Sequence, residues 1–152
     1  MKPNFLAILA ALTMNGPHVA NAQSTDECFP NLIKFDVCSE AKKMQAEMAK
    51  SLPMNVSRNM TLMTAAAFGP RLGMNVVWHM TGSTLNNMLV DNGMTHDQLV
   101  SRMEQSTRKI VCGQKQPSAA FVRLGGQIQY IYITDDYIPI ASPTITQCPP
   151  EP

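Results

Sequence analysis

The sequence predicts an α+β protein with a single antiparallel sheet of two β-hairpins and two main helices on one face, stabilised by disulfides. Three observations predict this class. The residue pattern gives the order helix, two strands, helix, two strands. The loops inside each strand pair are short, which favours antiparallel pairing. The chain also contains four cysteines in 152 residues. We expect residues 23–152 to form one small domain around one core.

The first 22 residues have the features of a cleavable secretory signal peptide. Lys2 precedes an apolar run over residues 5–12, and Ala20-Asn21-Ala22 matches the small-x-small pattern that signal peptidase recognises. The run is shorter than the roughly 20 apolar residues that a bilayer crossing needs. We therefore expect cleavage after Ala22, a periplasmic or secreted protein, and no membrane anchor after cleavage. The alternative interpretation is a buried N-terminal helix.

The charge balance argues against nucleic acid or an anionic membrane as a partner. Lys2 is the only charged residue among the first 22, so the processed chain keeps eleven basic and eleven acidic residues. Its formal charge is zero, which leaves no large basic surface. We predict another protein as the partner.

The four cysteines predict two structural disulfides, because an even number in a small exported domain is typical of a disulfide framework. Three pairings are possible, and we favour Cys28–Cys38 with Cys112–Cys148. The first pair is close in sequence, and the second joins a helix end to the C-terminal strand. The spacings include no Cys-x-x-Cys and fit no zinc site.

The first half of the domain predicts a helix followed by a hairpin. The helix should run over residues 37–51, with Asp36 as its N-cap and Pro53 as its end. The hairpin should join residues 61–68 to 74–81 through a loop at 69–73. Alternation along its second arm places four side chains on the core face: Met74, Val76, Trp78 and Met80.

The second helix is marked by a capping box of Thr95 and Gln98, and it should end at Cys112 before Gly113. Leu99, Met103 and Ile110 should form its apolar stripe. A short helical turn over residues 118–124 precedes the final hairpin, which should join residues 127–134 to 137–145. Pro139 and Pro143 have the same parity in the last arm, so we expect that strand to be an edge.

Methionine is the compositional peculiarity, since ten of the twelve methionines lie between Met44 and Met103. Thioethers select Cu(I), and Trp78-His79-Met80 adds groups found in some copper sites. However, His79 should point away from Trp78 and Met80 on a regular strand. Core filling is therefore the main interpretation, with a periplasmic Cu(I)-binding module as an alternative.

Two groups of side chains are candidates for partner binding. Met54, Met60 and Met63 fit no single periodic face, which favours an exposed apolar patch suited to adaptable binding. Tyr130 and Tyr132 share a face of the penultimate strand, with Tyr137 nearby, and tyrosine is enriched at interfaces. Packing in a loop or in the core is the alternative for each group.

Catalytic motifs are absent from the sequence. It contains no Gly-x-Ser-x-Gly, no His-Glu-x-x-His and no phosphate-binding glycine loop. Asp135-Asp136 reads as a turn and Gly125-Gly126 as a second turn. We therefore expect a non-enzymatic protein without a cofactor, of the envelope or secretion accessory type or of the inhibitor or immunity type. An unrecognised small hydrolase is a further alternative, which a closed pocket containing His79 and a carboxylate would favour.

Overall fold

The computed structural model describes residues 25–30 and 34–150, so the expected signal peptide and its cleavage site lie outside the described residues. Five helices and six strands make up the described chain. The helices are α1 Thr25–Cys28, α2 Val37–Ala49, α3 Gly82–Asp91, α4 His96–Val111 and α5 Pro117–Arg123. The strands are β1 Met54–Ser57, β2 Met60–Phe68, β3 Arg71–Trp78, β4 Gln127–Thr134, β5 Pro139–Ala141 and β6 Thr144–Ile145.

The six strands form one mixed sheet in the order β1-β2-β3-β4-β5, with β6 also paired to β4. The prediction of a single antiparallel sheet of two hairpins is wrong, because the central strands β3 and β4 pair in parallel. The chain between them contains α3, α4 and α5, and such a crossover is what parallel pairing requires. The α+β class with disulfides is confirmed, whereas two main helices were expected and α3 is a further long one.

The predicted first hairpin is confirmed with a tighter turn. β2 and β3 pair antiparallel, and Phe68 lies opposite Arg71 across the turn at Gly69-Pro70. Strand β1 was not predicted, since its four residues are all exposed and show no alternation. It pairs with β2 at the edge of the sheet.

The predicted N-cap of α2 and the predicted capping box of α4 are confirmed. Asp36 caps α2 by accepting a hydrogen bond from the Ser39 N–H at 3.0 Å. The capping box of α4 is complete, because Thr95 and Gln98 each accept from the other's backbone N–H. Helix α3 was not among the predicted elements. Its Asn86-Asn87 pair has low helix propensity, which hides the short Leu85–Leu89 apolar stripe.

The core lies between one face of the sheet and the helices. Met74 and Val76 are buried, and Trp78 and Met80 pack partly buried against the core, as their alternation in the sequence predicted. Leu72 and Ile128, which are paired across β3 and β4, lie at the centre of the same face.

The last predicted strand, residues 137–145, is divided into β5 and β6. Tyr137 lies in the turn after β4 with a positive φ of 62°, and Ser142-Pro143 separates the two short strands. The expected edge position is confirmed, since β5 ends the strand order. Proline lacks the N–H that a neighbouring strand would need, so Pro139 suits this position.

The cysteines form the two favoured pairs, Cys28–Cys38 and Cys112–Cys148. The first joins α1 to α2, and the second joins the end of α4 to the C-terminal segment. Disulfides persist in oxidising compartments. Among the described helices, none combines the length and hydrophobicity needed to cross a bilayer.

Candidate functional site

An open, largely apolar groove of about 700 Å³ lies on the helix-covered side of the sheet. Its volume falls within the usual range for ligand sites. Edge strand β1 borders it, and helix α4 and the end of α2 form its walls. Beyond the four residues of β1, the lining consists of Met48, Met60, Leu62, Val76, Arg102, Met103, Ser106, Ile110, Tyr130 and Tyr132.

The groove exists because the two longest helices pack on different parts of the sheet. Helix α2 packs against β2 and β3, whereas α4 packs against β5 and β6. A gap between the two helices remains over the intervening sheet face, and the groove occupies it. Leu62, Val76 and Tyr132 lie at the base of this gap and are all nearly inaccessible to solvent.

The hydroxyls of Tyr132 and Tyr130 differ in their hydrogen bonds. The Thr107 hydroxyl donates to the Met103 carbonyl at 2.8 Å. The Tyr132 hydroxyl, 2.8 Å from Thr107 Oγ1, is therefore the donor in that pair. The Tyr130 hydroxyl makes no hydrogen bond to any described residue. Its ring stacks on that of Tyr132, with centroids 5.8 Å apart.

The electrostatics of the groove follow from its apolar lining. Burial, with a smaller contribution from the neighbouring Tyr132, raises the pKa of Tyr130 to about 12. Burial also raises the pKa of Tyr132, although its hydrogen bond with Thr107 opposes the shift. Both phenols are therefore neutral hydrogen-bonding groups over the physiological pH range. Arg102 is the charged member of the lining.

Four of the six residues predicted to bind a partner line this groove: Met54, Met60, Tyr130 and Tyr132. The other two lie elsewhere. Met63 is exposed at the irregularity in β2, between residues Leu62 and Thr64, and Tyr137 is 79% exposed in the turn after β4. The role of all six in binding stays a prediction. That four of them share the groove and two do not is a finding of the tertiary structure.

Three features of the groove had no recognisable signal in the sequence: Arg102, Ser106 and the exposed position of Ile110. It placed Ile110 on the apolar stripe of α4, but Ile110 is 59% exposed at the groove. The buried stripe instead continues from Met103 to Thr107 and Val111. Each step of four advances by about 40° around the axis, so the buried stripe turns around the helix towards its C-terminal end and leaves Ile110, about 100° from Val111, outside it. A polar Thr107 in the stripe concealed this continuation.

The side chain of His79 points away from those of Trp78 and Met80, as the strand geometry predicted. Trp78 and Met80 pack against the core, whereas the His79 ring contacts Thr61 and Asp135. These three residues do not form one metal site. A different set of thioethers does share a site, because Met48, Met54, Met60 and Met103 all line the groove.

His79 belongs to a hydrogen-bonded chain with the connectivity of a hydrolase triad. Its Nε2 lies 2.8 Å from Thr61 Oγ1, and its Nδ1 lies 3.3 Å from Asp135 Oδ1. However, the Thr61 hydroxyl donates to Asn55 Oδ1 at 2.9 Å, so its proton is not directed at His79 Nε2. His79 and Asp135 are also about half exposed, with side-chain accessibilities of 48% and 49%.

The comparisons with known proteins identify a shared fold. No protein-family model matches the sequence, and no curated protein matches it significantly. Among solved structures, the type II secretion system pilotin AspS from Vibrio cholerae is similar, with a TM-score of 0.56 and 14% identity over 80% of this chain and 94% of that one. The pilotin EpsS of the Vibrio vulnificus type 2 secretion system gives a TM-score of 0.58 and 10% identity over 76% of this chain and 94% of that one.

A third similar structure is that of a protein from Pseudomonas aeruginosa described as secreted. Its TM-score is 0.52, with 14% identity over 72% of this chain and 88% of that one. At these identities the likeness shows the fold alone.

Proposed function

We propose that this protein is a non-enzymatic accessory protein of the cell envelope that binds a segment of another protein in the apolar groove. The segment would lie over the gap between α2 and α4 and contact β1. The proposal places the protein outside the cytosol and makes its chemistry that of recognition. A component of a secretion system is the partner class we favour.

The groove is the observation that carries this proposal. Four methionines line it, and unbranched thioether side chains adapt to partners of different shape. Tyr130 adds a large aromatic surface and a hydroxyl without a hydrogen-bond partner among the described residues, a combination typical of protein interfaces. Strand β1 leaves one edge without a partner among the described strands, so an extended segment can also pair with its backbone.

Two further observations support the compartment and the class. Both disulfides suit an oxidising compartment. The fold is shared with two proteins named as secretion-system pilotins and with one described as secreted. Fold alone does not determine function, so the groove and not the likeness carries the assignment.

Site-specific photo-crosslinking in the host cell tests the proposal. A photoreactive amino acid at Ile110 should give an adduct with a partner protein, whereas the same residue at Val90 should not. The two positions are a matched pair. Each is the penultimate residue of its helix and is exposed, 59% for Ile110 and 78% for Val90, but only Ile110 lines the groove.

Methionine methyl NMR then locates the contact on the purified protein. Binding of the crosslinked partner segment should shift the methyl signals of Met48, Met54, Met60 and Met103. Buried Met74, which does not line the groove, should serve as the internal reference. Ile110→Gln should weaken binding and Val90→Gln should not. Equal effects of the two variants, or shifts spread over all methionines, would refute the groove as the binding site.

Copper is a second candidate, favoured by the four thioethers that share the groove. Thioether ligands select Cu(I) over harder cations. Anaerobic titration with Cu(I) should then shift the same four methyl signals at micromolar or lower concentration. No binding in that range would exclude a copper function for this groove.

A further inference from the structure

We infer that the segment bound in the groove is acidic, with carboxylates that pair with Arg102 and Lys109 while its apolar side chains occupy the methionine-lined space. This inference rests on the proposed function and specifies the chemistry of the partner. It follows from the charge distribution around α4.

Helix α4 carries its basic and acidic side chains on different sides. Arg102 lines the groove, and Lys109 is seven residues further on, which places it within about 20° of Arg102 around the helix. The acidic residues of the helix, Asp97 and Glu104, lie roughly 140–160° away from Arg102. The groove side of the helix is therefore cationic, and the opposite side carries the acids.

Neither cation on the groove side is neutralised by a residue that the structure describes. Arg102 and Lys109 form no ion pair with any residue in the described ranges. Arg108, which lies on the far side of the same helix, pairs with Glu104 at 3.8 Å. The contrast shows that α4 has an acid available for one of its arginines but none for Arg102.

The opposite wall offers no free acid either. Glu40 and Glu47 of α2 pair with Lys43 and Lys50, at 3.6 Å and 2.7 Å. The residues that line the groove include no aspartate or glutamate. An apolar segment with negative charge would therefore meet complementary charge, whereas a basic segment would be repelled.

The spacing of the two cations sets the pattern expected in the ligand. Seven helical residues rise about 10 Å along the axis. Carboxylates seven residues apart on a helix span about the same distance, whereas same-face positions of a strand, which are two or four residues apart, are separated by about 7 or 13 Å. The unpaired Tyr130 hydroxyl can donate to a carboxylate or carbonyl of the same segment.

A random 12-residue peptide library displayed on phage provides the test. It is selected against the purified protein and against an Arg102→Glu/Lys109→Glu variant. A Lys42→Glu/Arg71→Glu variant is the control, because it changes the net charge equally at exposed positions that do not line the groove. Circular dichroism verifies that each variant is folded.

We expect peptides selected by the unaltered protein to be enriched in Asp and Glu beside apolar residues. Fluorescence anisotropy should show that they bind the Arg102→Glu/Lys109→Glu variant at least about tenfold more weakly and the control within about twofold. Their affinity should also fall as salt is raised, because exposed charge pairs are screened.

The outcomes separate the inference from the function on which it rests. Peptides that lose binding on Ile110→Gln but show no acidic enrichment, and tolerate the charge reversal, would overturn the inference and leave the groove a protein-binding site. An absence of any groove-dependent peptide would overturn both. Groove-dependent binding of dodecanoate without peptide binding would assign a lipid instead, and groove-dependent dimerisation would assign a second copy of this chain.

Discussion

The hydroxyls of Thr107 and Tyr132 lie 2.8 Å apart and join helix α4 to the central strand β4. Both residues are almost completely buried, with exposed fractions of 0% and 7%. The Thr107 hydroxyl donates its own hydrogen bond to the Met103 carbonyl, so both hydroxyls have an acceptor. This contact holds α4 at the distance from the sheet that defines one wall of the groove.

Loss of the Tyr132 hydroxyl should destabilise the fold. Tyr132→Phe removes a buried hydrogen bond, and we expect the free energy of unfolding to fall by about 0.5–1.5 kcal/mol. Tyr130→Phe is the matched control, because the Tyr130 hydroxyl has no partner among the described residues. Urea unfolding measures both. Equal losses for the two variants would contradict the assigned hydrogen bond.

Alkaline pH should weaken the fold through Tyr130. Its pKa is raised to about 12 in the folded protein from 10.0. Because the folded state holds the proton more tightly, the stabilisation is complete below pH 10 and is lost as pH rises from 10 towards 12. Tyr130→Phe should flatten the decline in the free energy of unfolding over that range. Parallel declines for both proteins would argue against a buried phenol at this position.

Acid should weaken the fold through Asp136. Hydrogen bonds from Thr134 and from the Gly82 N–H lower the pKa of Asp136 below 3.8 and tie the turn after β4 to the start of α3. The stabilisation is therefore present above about pH 4 and is lost as pH falls through the lowered pKa.

The acid effect can be assigned with a pair of variants. Asp136→Asn should reduce stability at pH 7 and flatten its decline below pH 4. Asp91→Asn, at the end of α3, removes the same charge without removing any of these hydrogen bonds. Unfolding in urea from pH 2 to 7 measures the difference, and identical pH profiles for the two variants would rule out this role for Asp136.

The two disulfides should contribute unequally. Cys28–Cys38 closes a loop of 10 residues and Cys112–Cys148 one of 36. On the chain-entropy relation these loops correspond to about 2.7 and 3.8 kcal/mol. Replacing the second pair with alanine should therefore lower the free energy of unfolding by about 1 kcal/mol more than replacing the first. A larger loss from the first pair would show that α1 docking, and not loop length, dominates.

Much of the local structure was predictable because it depends on residues close together in the chain. The N-cap at Asp36 and the capping box of Thr95 with Gln98 each involve partners three residues apart. Alternation in β3 identified its core face for the same reason. Helix α3 escaped prediction because the apolar signal of Leu85 and Leu89 is short and its middle consists of weak helix formers.

The candidate site was only partly predictable. Methionine and tyrosine composition pointed to Met54, Met60, Tyr130 and Tyr132, but the same reasoning selected Met63 and Tyr137, which lie outside the groove. Arg102 gave no signal in the sequence, since an arginine on an amphipathic helix is ordinarily a solvated residue. Its importance depends on which side of α4 faces the gap in the sheet.

The sequence by itself determined the N-terminal ends of α2 and α4, the buried face of the hairpin, the edge position of the proline-containing strand and the favoured cysteine pairs. These depend on short-range hydrogen bonds, on side-chain periodicity and on loop length. Only the tertiary structure decided that β3 and β4 run in parallel and that α2 and α4 pack on separate parts of the sheet. Those arrangements depend on contacts between residues more than fifty positions apart, such as Val76 with Tyr132, and these contacts leave no local pattern in the chain.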